Sequence, residues 1–376
     1  MLYIAYYTKP DDARLSSPAA NEKIKSISKA LGENGVSVEI LSTCTVASKG
    51  RFIRGRKFKV FDNVVCRQYS LFNTKFGPFR RLQYIWASLR IFFTLLFRVK
   101  RGEDVLVYHA IERIPPVKLA KKIKKFRLVL EVEEIYAKTL KLRKKEEKRE
   151  LQIIELADAF IFPTKILNDK VNTKNKPYCI IHGTYEARPI LEKPLADKIH
   201  VLYAGTLAPT KGAFMAVECA RFLSENYHIH ILGYGDKSLV ENIENKINEI
   251  KRQNKCEISY DGYIKGESLD RLMQKCAIGL CPQNQDALYN DVAFPSKILT
   301  YMANGLRVVT SKFPAIETSA VNEYMYYYDN QSAESVASAI RSVKLDDNYD
   351  SRQVLSNLRD EFKKDVKKVL NKKAND

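Results

Sequence analysis

The stretch from Asp291 to Ser311 constrains the fold more than any other, because its pattern changes twice within a short span. Asp291 to Phe294 reads as an irregular loop. Pro295 and Ser296 then carry a helix start, where proline presets φ and a serine hydroxyl can cap the free N–H groups of the first turn. Ile298, Leu299, Tyr301 and Met302 recur at helical spacing, and Asn304-Gly305 is a stop signal. Leu306 to Thr310, with Val308 and Val309 at its centre, reads as a buried strand. Loop, short helix, glycine turn and strand make one half of an α/β crossover. The start of such a helix is a ready anion site, since unpaired N–H groups and the positive dipole end point outward there. Lys297 falls in that first turn, where a cation is unfavourable unless an anion binds nearby. The segment therefore points to a phosphate-bearing ligand.

The same alternation runs along the chain. Residues 2–7 read as a buried strand, Ala20 to Gly32 as an amphipathic helix and Val36 to Leu41 as a second strand, a β-loop-α-β unit that implies a parallel sheet. Arg80 to Arg101 is a long helical candidate rich in Phe and Leu and flanked by arginines. It fits a helix packed on the sheet, or one lying in a membrane interface. Asp104 to His109 and Leu128 to Val132 read as strands, with a helix from Pro116 to Lys125 between them. His109 and the pair Glu133-Glu134 stand at carboxyl ends of strands, the edge where open α/β sheets bind ligands. A segment rich in proline and lysine, Asn172 to Lys198, separates this half from a fresh β-loop-α unit beginning at His200. Later strands are expected at His228–Leu232, Ile258–Tyr260 and Ala277–Cys281, with a basic amphipathic helix near Ser351–Asn371.

At 376 residues the chain is long enough for two domains, each with its own core. The expected boundaries are 1–192 and 193–350, with 351–376 as a C-terminal helix returning to the first domain. Hydrophobic content of 45% and charged content of 28% fit a soluble globular protein. The seven cysteines lack CxxC spacing or a histidine partner, so they read as small core residues in a reducing compartment, and no metal is expected. No apolar run is long enough to span a bilayer, and the first residues lack a signal pattern. These readings suggest a cytoplasmic chain, with peripheral membrane contact left open. The net charge of +19, dense between Arg98 and Arg149, fits a solvated helical face interspersed with Glu146, Glu147 and Glu150. It fits anionic lipid as well, and nucleic acid less, because no RNP-like aromatic pattern accompanies it.

Tyr301-Met-Ala-Asn-Gly-Leu-Arg-Val-Val309 resembles the donor-site helix and strand of family-4 glycosyltransferases, retaining enzymes of the GT-B fold. Members carry a Glu, seven residues, a second Glu, then Ala-Met-Ala-x-Gly-x-Pro-Val-Val. Here Val292 and Thr300 stand in the two glutamate positions, with Asp291 one residue off. The resemblance implies two facing Rossmann-like parallel-sheet domains with an interdomain cleft. The donor would be a UDP- or GDP-linked sugar, bound without a further cofactor. The acceptor would be a cell-surface polysaccharide or lipid-linked glycan. Gly205-Thr206 with Lys211-Gly212 is similar to the family's Gly-Arg-Leu and Lys-Gly pyrophosphate loop. Thr206 replaces the Arg, and Lys297 stands in for the lost charge. Gly233 and Gly235 match the turn beside the nucleotide, and Tyr263-Ile264 the loop that reads the base. Donor contacts are carried over to Asp291, Phe294, Pro295, Ser296, Lys297 and Thr300. Glu133 and Glu134 stand in place of the family's His-Asp pair and, with His109 at its strand end, are the catalytic candidates. The loop after the first strand lacks the family's glycines, so acceptor contacts fall to Arg14, Ser17 and Asn21. An inactive relative acting as a scaffold, or a basic RNA- or lipid-binding protein, is the alternative.

Overall fold

The computed structural model describes residues 1–9, 12–15, 17–45, 52–72, 77–139, 143–253, 255–284, 292–346 and 348–370. The chain forms two compact units, residues 1–184 with 360–376, and residues 185–359.

The first unit opens with β1 (Leu2–Ala5), α1 (Pro18–Glu33) and β2 (Val38–Ser42). Pro18 starts α1, and Ile24, Ile27, Ala30 and Leu31 form its buried stripe. The turn after it is closed by Gly35 at φ +83°, a conformation that glycine adopts without steric cost. Short strands follow: β3 (Phe52–Ile53), β4 (Arg56–Phe61), β5 (Val64–Gln68) and β6 (Leu71–Phe72). Then come α2 (Gly77–Arg98), β7 (Asp104–Tyr108), α3 (Ile114–Lys124), β8 (Arg127–Glu131), α4 (Tyr136–Thr139), α5 (Lys144–Leu156), β9 (Ala159–Phe162), α6 (Lys165–Val171) and β10 (Tyr178–Ile180). The eight-stranded sheet runs β10-β9-β8-β7-β1-β2-β5-β4.

All its pairings are parallel except β4 with β5, and β3 pairs antiparallel with β6 as a separate ribbon. The alternation of the sequence implied parallel strands throughout, so the antiparallel edge is a departure. Its cause is local: Arg56, Lys57 and Lys59 are polar residues that an edge strand can hold in water, and their charge blunts the open edge. Glu150 is a second departure. It is fully buried, and its carboxylate accepts from the backbone N–H groups of Tyr136 and Ala137, both at 2.8 Å, at the start of α4.

The second unit contains β11 (Ile199–Thr206), α7 (Ala213–Glu218), β12 (Tyr227–Tyr234), α8 (Lys237–Lys251), β13 (Glu257–Gly262), α9 (Glu267–Gln274) and β14 (Ile278–Cys281). It continues with α10 (Ser296–Ala303), β15 (Arg307–Ser311), α11 (Pro314–Glu317), β16 (Met325–Tyr328) and α12 (Ala333–Arg341). A last helix, α13 (Ser351–Val369), starts in this unit and ends in the first. The sheet order is β13-β12-β11-β14-β15-β16, and every pairing is parallel. Val201, Tyr203, Ile229, Ile231, Ile258, Ile278, Leu280 and Val309 form its core with the helices. Near-continuous apolar runs are what a sheet covered on both faces requires.

Strand order reverses between β11 and β14, because β12 and β13 are added on one side and β15 and β16 on the other. Such a switch point opens a crevice beyond the carboxyl ends of the strands. The pairing of β11 with β14 covers Val201↔Ile278 and Leu202↔Gly279, and past it the strands separate. All seven cysteines are buried and free.

Candidate functional site in the second unit

Where β11 and β14 separate, the Tyr301 hydroxyl takes over their hydrogen bonding. It accepts from the Ala204 N–H at 2.9 Å and donates to the Leu280 carbonyl at 3.0 Å. This ties α10 to both strands and fixes the helix start at the crevice. Gly279 allows the approach, since a Cβ there would collide with the Tyr301 ring. The N-cap of α10 is Pro295, and no side chain caps the helix. The expected cap by Ser296 is thus corrected: Ser296 is the first helical residue, and its exposed hydroxyl and the first-turn N–H groups face outward.

A solvent-open cavity of about 580 Å³ lies at this helix start. Of the residues expected to hold the donor, it is lined by Gly205, Gly233, Tyr263, Ile264, Ser296, Lys297 and Thr300. Thr206, Lys211, Gly235, Phe294 and Pro295 lie outside its lining. Asp291 lies outside the described residues. Thr206 ends β11 and its carbonyl accepts from the Tyr203 hydroxyl at 2.7 Å. Lys211 turns its carbonyl toward the Lys297 ammonium, 3.4 Å away. Gly212 beyond it has φ +84°, and a Cβ there would overlap the Pro282 carbonyl.

Lys297 is the electrostatic centre of the cavity. Its Nζ lies 3.9 Å from the centroid of the Tyr203 ring. Among the described residues no carboxylate is within ion-pair distance of it. Burial pulls its pKa down to about 8 from the usual lysine range, with Lys211 adding to the effect. A Cβ on Gly205 would run into the Lys297 stem, and one on Gly233 would overlap the Gly205 carbonyl. Both glycines therefore keep the backbone open beside the ammonium.

The far wall holds Tyr234 and Tyr263, exposed rings meeting edge to face at 5.1 Å, with Leu232, Leu269 and Met273 beneath. Sequence periodicity marked Tyr301 as core and was silent on Tyr234, Leu269 and Met273. Only the strand order reveals that they share one cavity.

In the first unit the other candidates collect past the ends of β7 and β8. His109 is 2% exposed, with Nε2 3.5 Å from Glu150 Oε1 and its ring 5.2 Å from that of Tyr136. Burial pulls its pKa down to about 4, and the Arg113 guanidinium acts in the same direction, so the ring is neutral at pH 7. Glu133 is half-buried and paired with Lys23 at 2.5 Å, and Glu134 is half-buried beside it. Glu131, which the sequence did not single out, is fully buried and accepts from the Tyr3 hydroxyl. Burial and the neighbouring Glu133 push its pKa up.

Two of the three acceptor candidates serve the fold here. Arg14 is buried and donates to Asp12, to Gln68 Oε1 and to the carbonyls of Arg54 and Tyr69. Asn21 clamps Thr8, accepting from its N–H at 3.0 Å and donating to its carbonyl at 2.6 Å. Ser17 is exposed at the start of α1, where its side chain makes no capping bond.

Comparison with known proteins places this geometry. Residues 186–369 match the family model described as glycosyl transferases group 1. This stretch, just under half of the chain, is thus similar to group 1 glycosyltransferases, a family whose enzyme class is glycosyl transfer. No curated protein matches the sequence.

Solved structures match at the level of fold. The UDP-forming α,α-trehalose-phosphate synthase of Burkholderia xenovorans is 12% identical, with a TM-score of 0.64 over 98% of each chain. Anabaena HepE, in complex with UDP and glucose, is 13% identical, with a TM-score of 0.58 over 96% of this chain and 94% of its own. A glycosyltransferase from Rickettsia africae is 12% identical, with a TM-score of 0.61 over 98% of this chain and 94% of its own. The chain thus has the GT-B fold, two α/β domains built on parallel sheets.

Proposed function

We propose that this chain moves a sugar from a nucleoside-diphosphate sugar to a glycan acceptor, with retention of configuration. Lys297 carries the reading. A lysine drawn into a cavity at a helix start, with no carboxylate to neutralise it, fits an anionic ligand that supplies the missing charge. The diphosphate would lie against the Gly205 backbone and the first turn of α10, between Lys297 and the Ser296 hydroxyl. As the bond to the sugar breaks, negative charge grows on the departing diphosphate, so these donors act on the transition state. Tyr234 and Tyr263 offer ring faces and edges to the nucleobase. Uridine is favoured as that base, because HepE of the same fold holds UDP. Lys211 is the second cation of the reading, half-buried at the loop that precedes α7.

On the acceptor side, Glu133 and Glu134 are the half-buried carboxylates able to take a proton from an acceptor hydroxyl, and neutral His109 would position it. Ser17 is the exposed hydroxyl of the three residues proposed to touch the acceptor. The experiment is calorimetric titration of the purified protein with UDP and GDP, followed by transfer assays with UDP- and GDP-linked sugars. Binding of UDP that Lys297→Ala weakens supports the reading. Failure of both nucleotides to bind at millimolar concentration overturns it.

A second reading concerns where the acceptor is met. α2 buries Ile91, Leu95 and Thr94, yet leaves Leu82, Ile85, Trp86, Phe93 and Phe97 exposed, Phe97 at 76%. The adjoining α3 exposes Leu119 and Ile123 beside Lys118, Lys122 and Lys124. Aromatic and aliphatic side chains next to lysines suit an anionic membrane interface. Among the described residues no helix is long and apolar enough to cross a membrane, so the proposed contact is peripheral.

A further inference from the structure

His200, His228 and His230 are three of the chain's five histidines, and the second unit brings them together at the amino ends of its strands. β11 and β12 pair His200 with His228 in register, and His230 follows two residues on, so all three imidazoles share one face of the sheet. His200 Nε2 lies 3.0 Å from Asp197 Oδ1, and His230 Nδ1 lies 2.7 Å from Asp261 Oδ2. Both carboxylates are ionised at neutral pH, as aspartates ordinarily are.

An ionised carboxylate only accepts, so each imidazole donates its N–H outward. The two inner nitrogens, His200 Nδ1 and His230 Nε2, are then both lone-pair acceptors, and they face each other at 2.9 Å. Two bare nitrogens at that separation repel unless a cation lies between them. A proton can fill the place, and so can a metal ion. The third ring stands beside them: the His228 ring centroid is 3.9 Å from that of His230, the rings tilted by 34°, and one ring nitrogen from each of the three histidines falls within 4.8 Å of the others.

We propose that His200, His228 and His230 form a binding site for a divalent transition-metal ion of the zinc type, with Asp197 and Asp261 as outer carboxylates that orient two of the ligands. Three imidazoles suit zinc, nickel or copper and not magnesium or calcium, which take oxygen. Tetrahedral zinc holds nitrogens at about 2.0–2.1 Å, so neighbouring ligand nitrogens stand about 3.3 Å apart. His200 and His230 reach that by parting a few tenths of an ångström, and His228 reaches it by turning inward. A water completes the shell. Carboxylates on the far nitrogens are the usual outer partners of metal-bound imidazoles, fixing tautomer and orientation. Where a proton bridges the inner pair, binding the ion displaces it, so uptake releases a proton to solvent. The site is separate from the donor cavity, because His200 and Gly205 are at opposite ends of β11, roughly 16 Å apart along the strand. Its effect is to join the amino-terminal halves of β11 and β12 and, through Asp261, the carboxyl end of β13.

The test uses the full chain stripped with EDTA and titrated with zinc chloride at neutral pH. One ion should bind per chain and raise the melting temperature. Asp261→Asn should weaken binding by about 10- to 100-fold, and His200→Gln or His230→Gln by more. Cobalt(II) in place of zinc should give the intense visible bands of a four-coordinate ion in the wild type and lose them in His230→Gln. If a glutamine variant fails to fold, the wild-type cobalt spectrum and Asp261→Asn still decide. No stoichiometric zinc uptake, a six-coordinate cobalt spectrum, or affinity unchanged by Asp261→Asn overturns the proposal.

Discussion

The ammonium of Lys297 lies 3.9 Å over the Tyr203 ring and 3.4 Å from the Lys211 carbonyl, a pair of weak contacts that leaves its charge largely unmet. The aromatic face attracts it and the cavity desolvates it. Desolvation wins, which is why its pKa falls to about 8. Removing the ammonium removes the charge-assisted bonds to the donor, each about 1.5–3 kcal/mol. Lys297→Ala should therefore raise the dissociation constant for UDP by about 10- to 100-fold, read by calorimetry.

The same shift sets a pH dependence. A bound diphosphate favours the charged amine, so donor affinity should be full below pH 8 and decline as pH rises through it. Affinity that stays flat from pH 7 to 9.5 would place the diphosphate elsewhere. Stability runs the other way. Unfolding frees Lys297 to bind a proton at its ordinary, higher pKa, so the ligand-free protein should gain stability between pH 8 and the unfolded value near 10.4.

The two cavity glycines separate folding from binding. A Cβ on Gly233 meets the Gly205 carbonyl, which is backbone inside the β11–β12 ladder and cannot move aside. Gly233→Ala should lower stability by about 1–3 kcal/mol, seen as a fall in melting temperature. A Cβ on Gly205 meets only the Lys297 stem, which can swing away. Gly205 has φ +158°, which an alanine adopts only with strain, so Gly205→Ala should lose some stability, less than Gly233→Ala, yet bind UDP about tenfold more weakly. Equal destabilisation by the two substitutions would contradict this division.

Much of this site could be read before any coordinates. The helix start at Pro295-Ser296, the Gly305 turn and the strand after it are local events, governed by φ preferences and periodicity, and each falls within a residue or two of its expected place. Lys297 stood out because a cation in a first helical turn breaks a local rule.

What stayed hidden depends on pairing across the chain. Apolar periodicity placed Tyr301 in the core but could not show its hydroxyl bridging Ala204 and Leu280. Arg14 looked available to an acceptor, and only the return of the chain at Gln68 and Tyr69 shows where its donors go. His200 and His230 meet through strand register, which ligand-spacing rules written for local motifs do not detect. The antiparallel β4 escaped notice because alternating charge on an edge strand resembles a loop.

His109 and His182 give the first unit an acid sensitivity. Each is buried, and burial lowers each pKa to about 4. His182 Nδ1 also donates to the Pro163 carbonyl at 2.7 Å, which fixes its tautomer. In the unfolded chain both titrate near 6.5. Between pH 6.5 and 4 the unfolded state binds more protons, so stability is full above pH 6.5 and falls as the medium is acidified. Calorimetric unfolding across that range should show the melting temperature falling, with a shallower slope in His109→Asn and in His182→Asn. An unchanged slope in both would mean that other groups govern the acid limb.

The exposed face of α2 presents a choice between solubility and contact. Trp86, Phe93 and Phe97 are held in water although inward positions on the same helix, Ile91 and Leu95, are fully packed. Phe93 and Phe97 stack at 5.9 Å, so they form a continuous apolar strip instead of isolated residues. Burying one such ring in a membrane interface is worth about 1.5–3 kcal/mol, and each nearby lysine adds about 1 kcal/mol on anionic lipid. The double change Phe93→Ser with Phe97→Ser should therefore cut partitioning onto phosphatidylglycerol vesicles by at least about tenfold. Both rings are exposed, so the melting temperature should hardly move. Raising salt should weaken binding of the wild type by screening the lysines, while leaving the apolar part intact. Vesicle binding that survives the double change, or that is absent from the wild type, would leave α2 as an ordinary surface helix. The proposed acceptor would then have to be water-soluble.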